Sequence, residues 1–158
     1  MAAPVVFNVA KGSVRYYFGL PAANDGIVIL LLKASGLVSD DVLADYADVA
    51  ALLAGASDEA DFTNYARKVL TSGVTITQDN TNNRVDIDID NQTWSGAGSI
   101  TPGPANNSLG KLVVAYDPDT TTPGDNALIP LVALDFVATT DGTNLVAEVN
   151  AAGLARAA

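Results

Sequence analysis

The chain has 158 residues, of which 49% are hydrophobic and 16% charged, and its formal net charge is −10. This balance excludes an intrinsically disordered chain, which combines low hydrophobicity with high net charge, and predicts a domain with its own hydrophobic core. The acidity argues against binding to nucleic acids and to anionic membranes, because both depend on Lys and Arg.

The sequence contains no cysteine and no histidine. Disulfide bonds and zinc ribbons are therefore excluded, together with the commonest general base and the commonest transition-metal ligand. The most apolar run, Ile27–Leu32, is far shorter than the roughly 20 residues of a membrane-spanning helix. The start, Met1–Pro4, lacks the features of a signal peptide, so we expect synthesis in the cytoplasm without export.

The first part of the chain predicts short strands. Val5–Val9 and Ser13–Phe18 are rich in β-forming residues and are separated by a turn. The continuous apolar run Ile27–Lys33 predicts a strand that is buried on both faces.

Two helical segments follow. Ser39 is a typical N-cap, and carboxylates come directly after it, where they favour the start of a helix. An apolar stripe at helical spacing then predicts a helix over residues 40–53, with Gly55 as its stop. The stripe consists of Val42, Tyr46, Val49, Ala50 and Leu53. A second short helical segment is predicted over Glu59–Leu70.

After Gly73 the sequence changes to strands and turns. Val74–Thr77 and Val85–Asp90 alternate apolar and polar residues, and the turn-forming Asp79–Asn83 lies between them, which predicts an antiparallel hairpin. Further strands are predicted at Leu112–Tyr116, as two pieces within Leu128–Val137 that break near Pro130, and at Leu145–Val149, where the sheet closes.

Two polar segments, Ser95–Ser108 and Asp117–Asn126, predict exposed loops, and the tail Ala151–Ala158 predicts a frayed helix or an extended arm. The predicted fold class is mainly β (α+β). It is an antiparallel β-sandwich or flattened barrel with the helix 40–53 packed against it and a second short helical segment. We expect one domain over residues 1–158 with extended N- and C-terminal arms.

A row of aspartates on the predicted hairpin suggests a calcium site, since hard cations take carboxylate oxygens. The row is Asp86, Asp88 and Asp90. An EF-hand loop would need glycine and glutamate where this chain has Asn91 and Ala97. Strand alternation explains the row without a metal, because it turns the aspartates to water and the intervening apolar residues inward.

A second acidic group lies in the loop Asp117–Asn126, where Asp117, Asp119 and Asp125 offer a carboxylate pair of the kind that hydrolyses glycosidic bonds. Turn formation is the stronger explanation, because Asp-Pro and Pro-Gly-Asp are typical turn sequences. Glycine-rich phosphate loops are absent from the sequence. We therefore assign no catalytic, cofactor-binding or metal-binding residue and expect neither a cofactor nor an enzyme.

The only tryptophan, Trp94, follows the acidic strand. Two interpretations stay open, an anchor for a partner and a core residue at the edge of the sheet.

Several segments between Phe62 and Asp141, about half of the chain, together resemble a known family. They are Phe62–Leu70, Val74–Thr77, Asn80–Asp86, Gln92–Trp94, Lys111–Asp119 and Ile129–Leu131. This block resembles small proteins from the structural-gene modules of tailed phages, especially those of actinobacteria, which are labelled minor capsid, head-decoration or minor tail proteins. It contains no catalytic or ligand signature, so the resemblance implies no functional residues.

The resemblance implies a virion structural protein that is made in the host cytoplasm and located in the capsid. We expect a decoration or cement protein that binds the outside of the assembled head, bridges major capsid subunits and forms a homo-oligomer. The acidic charge suits the exterior better than a DNA-facing position. Its contacts are expected from the two loops and the terminal arms. The alternatives are a minor tail protein and a carbohydrate-binding or hydrolytic β-domain.

Overall fold

The computed structural model describes residues 4–55, 57–122, 124–149 and 153–157. Strands account for 37% and helices for 13%, which confirms the predicted mainly β, α+β class. The described strands form antiparallel sheets, and none of these sheets closes into a barrel. The sandwich form of the prediction is therefore the one that this part of the chain adopts.

The elements in chain order are β1 (Val5–Val6), a 3-10 helix (Asn8–Ala10), α1 (Val14–Phe18), β2 (Gly26–Lys33), α2 (Asp40–Leu43), α3 (Val49–Gly55), β3 (Lys68–Leu70), β4 (Val74–Asp79), β5 (Arg84–Ile89), β6 (Gln92–Trp94), β7 (Ser108–Asp117), β8 (Ile129–Thr139), β9 (Leu145–Ala147) and β10 (Ala155–Ala157). The central sheet has the strand order β1-β8-β7-β2-β3, a second sheet the order β10-β5-β4, and a third pairs β6 with β9.

The central sheet is buried on both faces, as the continuous apolarity of β2 predicts. Alternate side chains of β2 point to opposite faces of the sheet. Ile27, Ile29 and Leu31 pack toward the two smaller sheets. Val28, Leu30 and Leu32 pack against Leu43 of α2 and against Val49 and Leu52 of α3. The sandwich core and a separate helix-facing core therefore share one sheet.

The helix predicted over residues 40–53 is divided into α2 and α3. The break falls before Asp48, whose carboxylate accepts a hydrogen bond of 2.7 Å from the amide of Ala51 and so caps a new helix start. Val42, part of the predicted apolar stripe, is 47% exposed, whereas Leu43 is buried. No helix among the described residues has the length and apolar character that a membrane crossing requires.

The second helical segment, predicted over Glu59–Leu70, is wrong. Glu59 forms a β-bridge with Leu32, and the segment ends in strand β3, which pairs with Ile27–Ile29. Asn64 has a left-handed backbone (φ 68°), which interrupts any helix. Without β3, the backbone N–H and C=O groups along one edge of β2 would be unpaired. Pairing them outweighs the tendency of the regularly spaced apolar residues to form a helix.

The opposite error occurs at Ser13–Phe18, where the predicted strand is helix α1. A helix places Val14, Tyr17 and Phe18 on one side at i, i+3 and i+4, and all three pack on the core. The strand predicted at Val5–Val9 is limited to β1, because the 3-10 helix follows directly.

Three details near the C-terminus also differ from the predictions. Residues 128–137 hold one strand, β8, and Pro130 is tolerated where the pairing with β7 shifts register. The strand predicted at Leu145–Val149 pairs with β6 in a separate sheet. The tail contains β10, which pairs with β5. Residues 151, 152 and 158 of that predicted tail, and residues 1–3 of the predicted N-terminal arm, lie outside the described residues.

The hairpin predicted after Gly73 is confirmed as β4 and β5. Asp79 accepts hydrogen bonds of 3.1 Å from the amides of Thr81 and Asn82, which closes the turn. Asn83 adopts a left-handed backbone (φ 51°), a conformation that asparagine tolerates better than most residues.

Candidate interaction surface

The aspartate row of β5 faces away from the core, as the alternation predicts. Ile87 and Ile89 are buried, whereas Asp86 lies 3.0 Å from Nε of Arg84. The carboxylate of Asp88 accepts a hydrogen bond from the amide of Ile89. Among the described residues, no group of three or more His, Cys, Asp or Glu side chains is placed to hold a metal ion.

The loop carboxylates do not converge on a shared site. Asp119 accepts hydrogen bonds from the hydroxyls of Thr121 and Thr122, and these bonds hold its pKa below the ordinary value. Asp117 accepts a bond from the amide of Asp119 and supports the same turn. Asp125 is paired with Arg67, which lowers its pKa. A general acid needs a raised pKa, so Asp119 and Asp125 are tuned in the opposite direction.

Trp94 is a core residue. Its side chain is 1% exposed, and its indole nitrogen donates a hydrogen bond of 2.8 Å to the carbonyl oxygen of Ala66. The ammonium of Lys68 lies 5.3 Å from the ring centroid, within range of a cation–π interaction. The structure thus decides between the two interpretations of Trp94, because a fully covered ring cannot anchor a partner.

An ion-pair cluster around Arg67 was not foreseen from the sequence. The guanidinium of Arg67 is bound by Glu59 at 2.6 Å and also by Asp125, and the hydroxyl of Tyr65 donates to Glu59 at 2.7 Å. Tyr65 in turn accepts a hydrogen bond from the amide of Leu31 in β2. The cluster ties the loop 118–127 to the edge of the central sheet. Glu59, Tyr65 and Arg67 are close in sequence, but Asp125 is 58 residues from Arg67, so no local pattern indicates the complete cluster.

Lys111 is a second basic residue whose ion pairs connect elements of the fold. It is 5% exposed on β7, and its ammonium lies 2.6 Å from Asp40 of α2 and 2.5 Å from Asp135 of β8. Burial by itself would lower the pKa of Lys111, but the hydrogen bonds to Asp135 and Asp40 outweigh burial and raise it. The lysine therefore stays charged and joins a helix to the sheet.

The loop Ser95–Ser108, which was predicted to be exposed, is held in place by two hydrogen bonds between Asn106 and Ser99, which we call the clasp. Asn106 accepts a hydrogen bond of 2.6 Å from the amide of Ser99 and donates one of 3.0 Å to the carbonyl oxygen of Ser99. The amide of Asn107 donates to the hydroxyl of Thr140 at 2.8 Å. Ala97 and Asn107 are buried. The exposed part of the loop is thus fixed by its own side chains.

The same end of the molecule presents two apolar side chains to solvent. Ile100 in the loop is 87% exposed and Val137 near the end of β8 is 88% exposed, the highest values among the large hydrophobic residues that the structure describes. Ser108, where the loop ends, pairs with Thr139, two residues after Val137. We call this region, formed by the loop 95–108, Val137 and the turn 141–143, the loop-end surface.

The turn 141–143 fixes the position of Ile100. The amide of Ala97 donates a hydrogen bond of 2.8 Å to the carbonyl oxygen of Thr143, and the amide of Gly142 donates one of 2.8 Å to the carbonyl oxygen of Ala97. A Cβ atom at Gly142 would lie 2.7 Å from the amide nitrogen of Ile100, so the two backbones are in direct contact. Sequence reasoning located the loop but missed both Ile100 and Val137. The one available signal was an isolated isoleucine in a polar segment.

Comparisons of the chain with protein-family models, curated proteins and solved structures gave no match. The resemblance to structural proteins of tailed phages therefore stays a hypothesis that rests on the segments between Phe62 and Asp141.

Proposed function

We propose that the protein is a virion structural protein of a tailed phage, a decoration or cement protein that binds the outside of the assembled head. The observation that carries the proposal is the loop-end surface, where two highly exposed apolar side chains lie on a backbone held in place by hydrogen bonds. The fully buried centre of a protein interface is more apolar than the rest of the surface, and side chains on an ordered backbone lose little conformational entropy on binding.

The charge of the molecule supports an exterior location. A net charge of −10 opposes contact with packaged DNA, because affinity for a polyanion comes from Lys and Arg that displace counterions. An acidic protein placed outside the shell meets no such repulsion, and its charge keeps it soluble. Bridging of neighbouring major capsid subunits follows if several copies bind across subunit boundaries.

Binding to heads that lack the protein tests the proposal. We expect the wild-type protein to sediment with such heads, and the double variant Ile100→Ser, Val137→Ser to bind at least tenfold more weakly, since burying each aliphatic side chain contributes roughly 1 kcal/mol or more. Folding stability should change by less than about 0.5 kcal/mol per exposed position.

The matched control is Val69→Ser. Val69 is 53% exposed on β3, an outer strand of the central sheet that is separated from β8, the strand of Val137, by β2 and β7. Its replacement should leave head binding unchanged. Heads without the protein should also release their genome at a lower temperature. Equal binding by the double variant, or recovery of the protein from tails alone, would contradict the proposal.

A further inference from the structure

Two basic side chains of this acidic protein differ from the other described ones in having neither a salt bridge nor a cation–π contact. Among the Lys and Arg side chains that the structure describes, most are engaged. Lys33, Arg67, Arg84 and Lys111 form salt bridges, and Lys68 contacts Trp94. Lys11 and Arg15 are exposed and have no carboxylate within salt-bridge distance in the described part of the chain. The ammonium of Lys11 donates a hydrogen bond of 2.5 Å to the neutral side chain of Asn8, so its charge is not neutralised.

These two cations border the same apolar groove. The groove has a volume of about 360 Å³, and its walls include Val6 of β1, Val14 of α1, Ile87 of β5 and Ala155 of β10. Lys11 precedes α1 and Arg15 lies within it, and both line the groove. A volume of this size admits a few side chains and lies at the small end of the range for ligand sites. An apolar floor and a cationic rim are thus combined at one place.

The groove also lies between two sheet edges. Among the described strands, β1 is one of the two outer strands of the central sheet, and β10 is one of the two outer strands of the three-stranded sheet. An outer strand offers backbone N–H and C=O groups to a further strand, which is how extended peptides are commonly recognised. A small anion would use the cations but not the strand edges, so the edges favour a polypeptide as the occupant.

We propose that this groove binds an extended segment of a partner protein that alternates aliphatic and acidic side chains. In an extended segment, neighbouring side chains point in opposite directions, so aliphatic groups enter the groove while carboxylates lie at its rim. The carboxylates pair with Lys11 and Arg15. The inference rests on the proposed function for the source of the segment, a subunit of the shell, whereas the groove is tested on the isolated protein.

The test measures fluorescence anisotropy of a labelled, acetylated octapeptide that alternates valine and glutamate. We expect saturable binding to the full-length protein that weakens as salt is raised, because the rim contacts are exposed ion pairs. The double variant Lys11→Gln, Arg15→Gln should bind about tenfold more weakly, the effect of losing two such pairs. An octapeptide that alternates valine and lysine should not bind.

The matched control is the double variant Lys33→Gln, Lys68→Gln, which removes the same charge outside the groove and should bind the acidic peptide like the wild type. Lys11 and Arg15 are exposed, so their variants are expected to fold, and a thermal melt checks this. Four outcomes would overturn the proposal. Three concern the peptides: no binding of the acidic peptide at 1 mM protein, equal binding of the acidic peptide by the Lys11, Arg15 variant, and equal binding of the lysine peptide by the wild type. The fourth is self-association of the wild type that the Lys11, Arg15 variant alone abolishes, which would assign the groove to a second copy of the chain.

Failure of this test is distinguishable from failure of the proposed function. If the Lys11, Arg15 variant loses peptide binding but still binds heads, the groove is a peptide-binding site, but the segment that it binds does not come from a subunit of the shell. Head binding without any peptide binding would retain the proposed function and overturn the groove.

Discussion

Arg67 pairs with two carboxylates, that of Glu59, which lies eight residues earlier beside β2, and that of the distant Asp125 in the loop 118–127. A partly buried guanidinium needs such partners, because an unpaired charge removed from water is costly. Asp125 gains in turn, since the hydrogen bond from Arg67 holds the pKa of its carboxyl below the ordinary value despite the opposing effect of burial. This residue pair therefore couples the position of the loop to protonation.

Asp125→Asn tests that coupling. A lowered pKa in the folded state means that Asp125 adds stability above its unfolded pKa of about 3.9 and loses this contribution as the pH falls through the folded value. We expect the variant to be about 1 kcal/mol less stable at pH 7 and to show a smaller further loss between pH 4 and pH 2 than the wild type. Urea denaturation at several pH values measures both effects.

Asp58→Asn is the control for that measurement, since Asp58 is exposed and belongs to no ion pair among the described residues. Its pH profile should follow the wild type. An identical acid response in the Asp125 and Asp58 variants would show that Arg67 does not tune the carboxyl.

At the scale of elements, the loop Ser95–Ser108 depends on one glycine. Gly98 has a left-handed backbone (φ 88°), and a Cβ atom there would lie 2.8 Å from the hydroxyl oxygen of Thr140 and even closer to Oδ1 of Asn106. Asn106 is the residue that clasps Ser99. Any side chain at Gly98 must displace the clasp, so the order of the loop and the position of Ile100 rest on this residue.

Gly98→Ala should therefore loosen the loop without unfolding the sheet. We expect a stability loss of about 1–3 kcal/mol from backbone strain, faster hydrogen exchange at the amides of Ser99 and Gly142, and weaker binding to heads. Gly103→Ala in the same loop is the control, because nothing lies within 4 Å of a Cβ atom at that position. Unchanged exchange in the Gly98 variant would rule out the clasp as the source of order.

At the scale of the whole molecule, the central sheet is shared by two cores. Leu31 faces the smaller sheets and Leu30 faces α2 and α3, and both side chains are fully buried. Because the same strand lines both cores, damage on either side destabilises the one sheet on which both depend. We therefore expect the chain to unfold as a single cooperative unit.

Leu30→Ala and Leu31→Ala test this expectation. Each removes buried methyl groups and leaves a cavity, at a cost of about 2–5 kcal/mol. Both should lower the midpoint of one shared thermal transition, followed by circular dichroism in the far and near ultraviolet. Two separate transitions, or a Leu30 variant that affects the helices alone, would show instead that the helix-facing core is an independent unit.

The sequence by itself determined the features that depend on neighbours along the chain. The alternation in Val85–Asp90 and the turn residues Asp79–Asn83 determined the β4–β5 hairpin, since a period of two and a local turn need no distant partner. The continuous apolarity of Ile27–Lys33 likewise determined a strand buried on both faces, and composition located the polar loop 95–108.

Only the tertiary structure decided the features that depend on distant partners. Glu59–Leu70 has helical spacing but completes the edge of β2, and Ser13–Phe18 has strand composition but is helical because that form places Tyr17 and Phe18 on the core. The pairing of Arg67 with Asp125 and the joint exposure of Ile100 and Val137 belong to the same class. A periodic pattern indicates which side chains will be buried together. Whether and by what they are covered depends on residues far away in the chain.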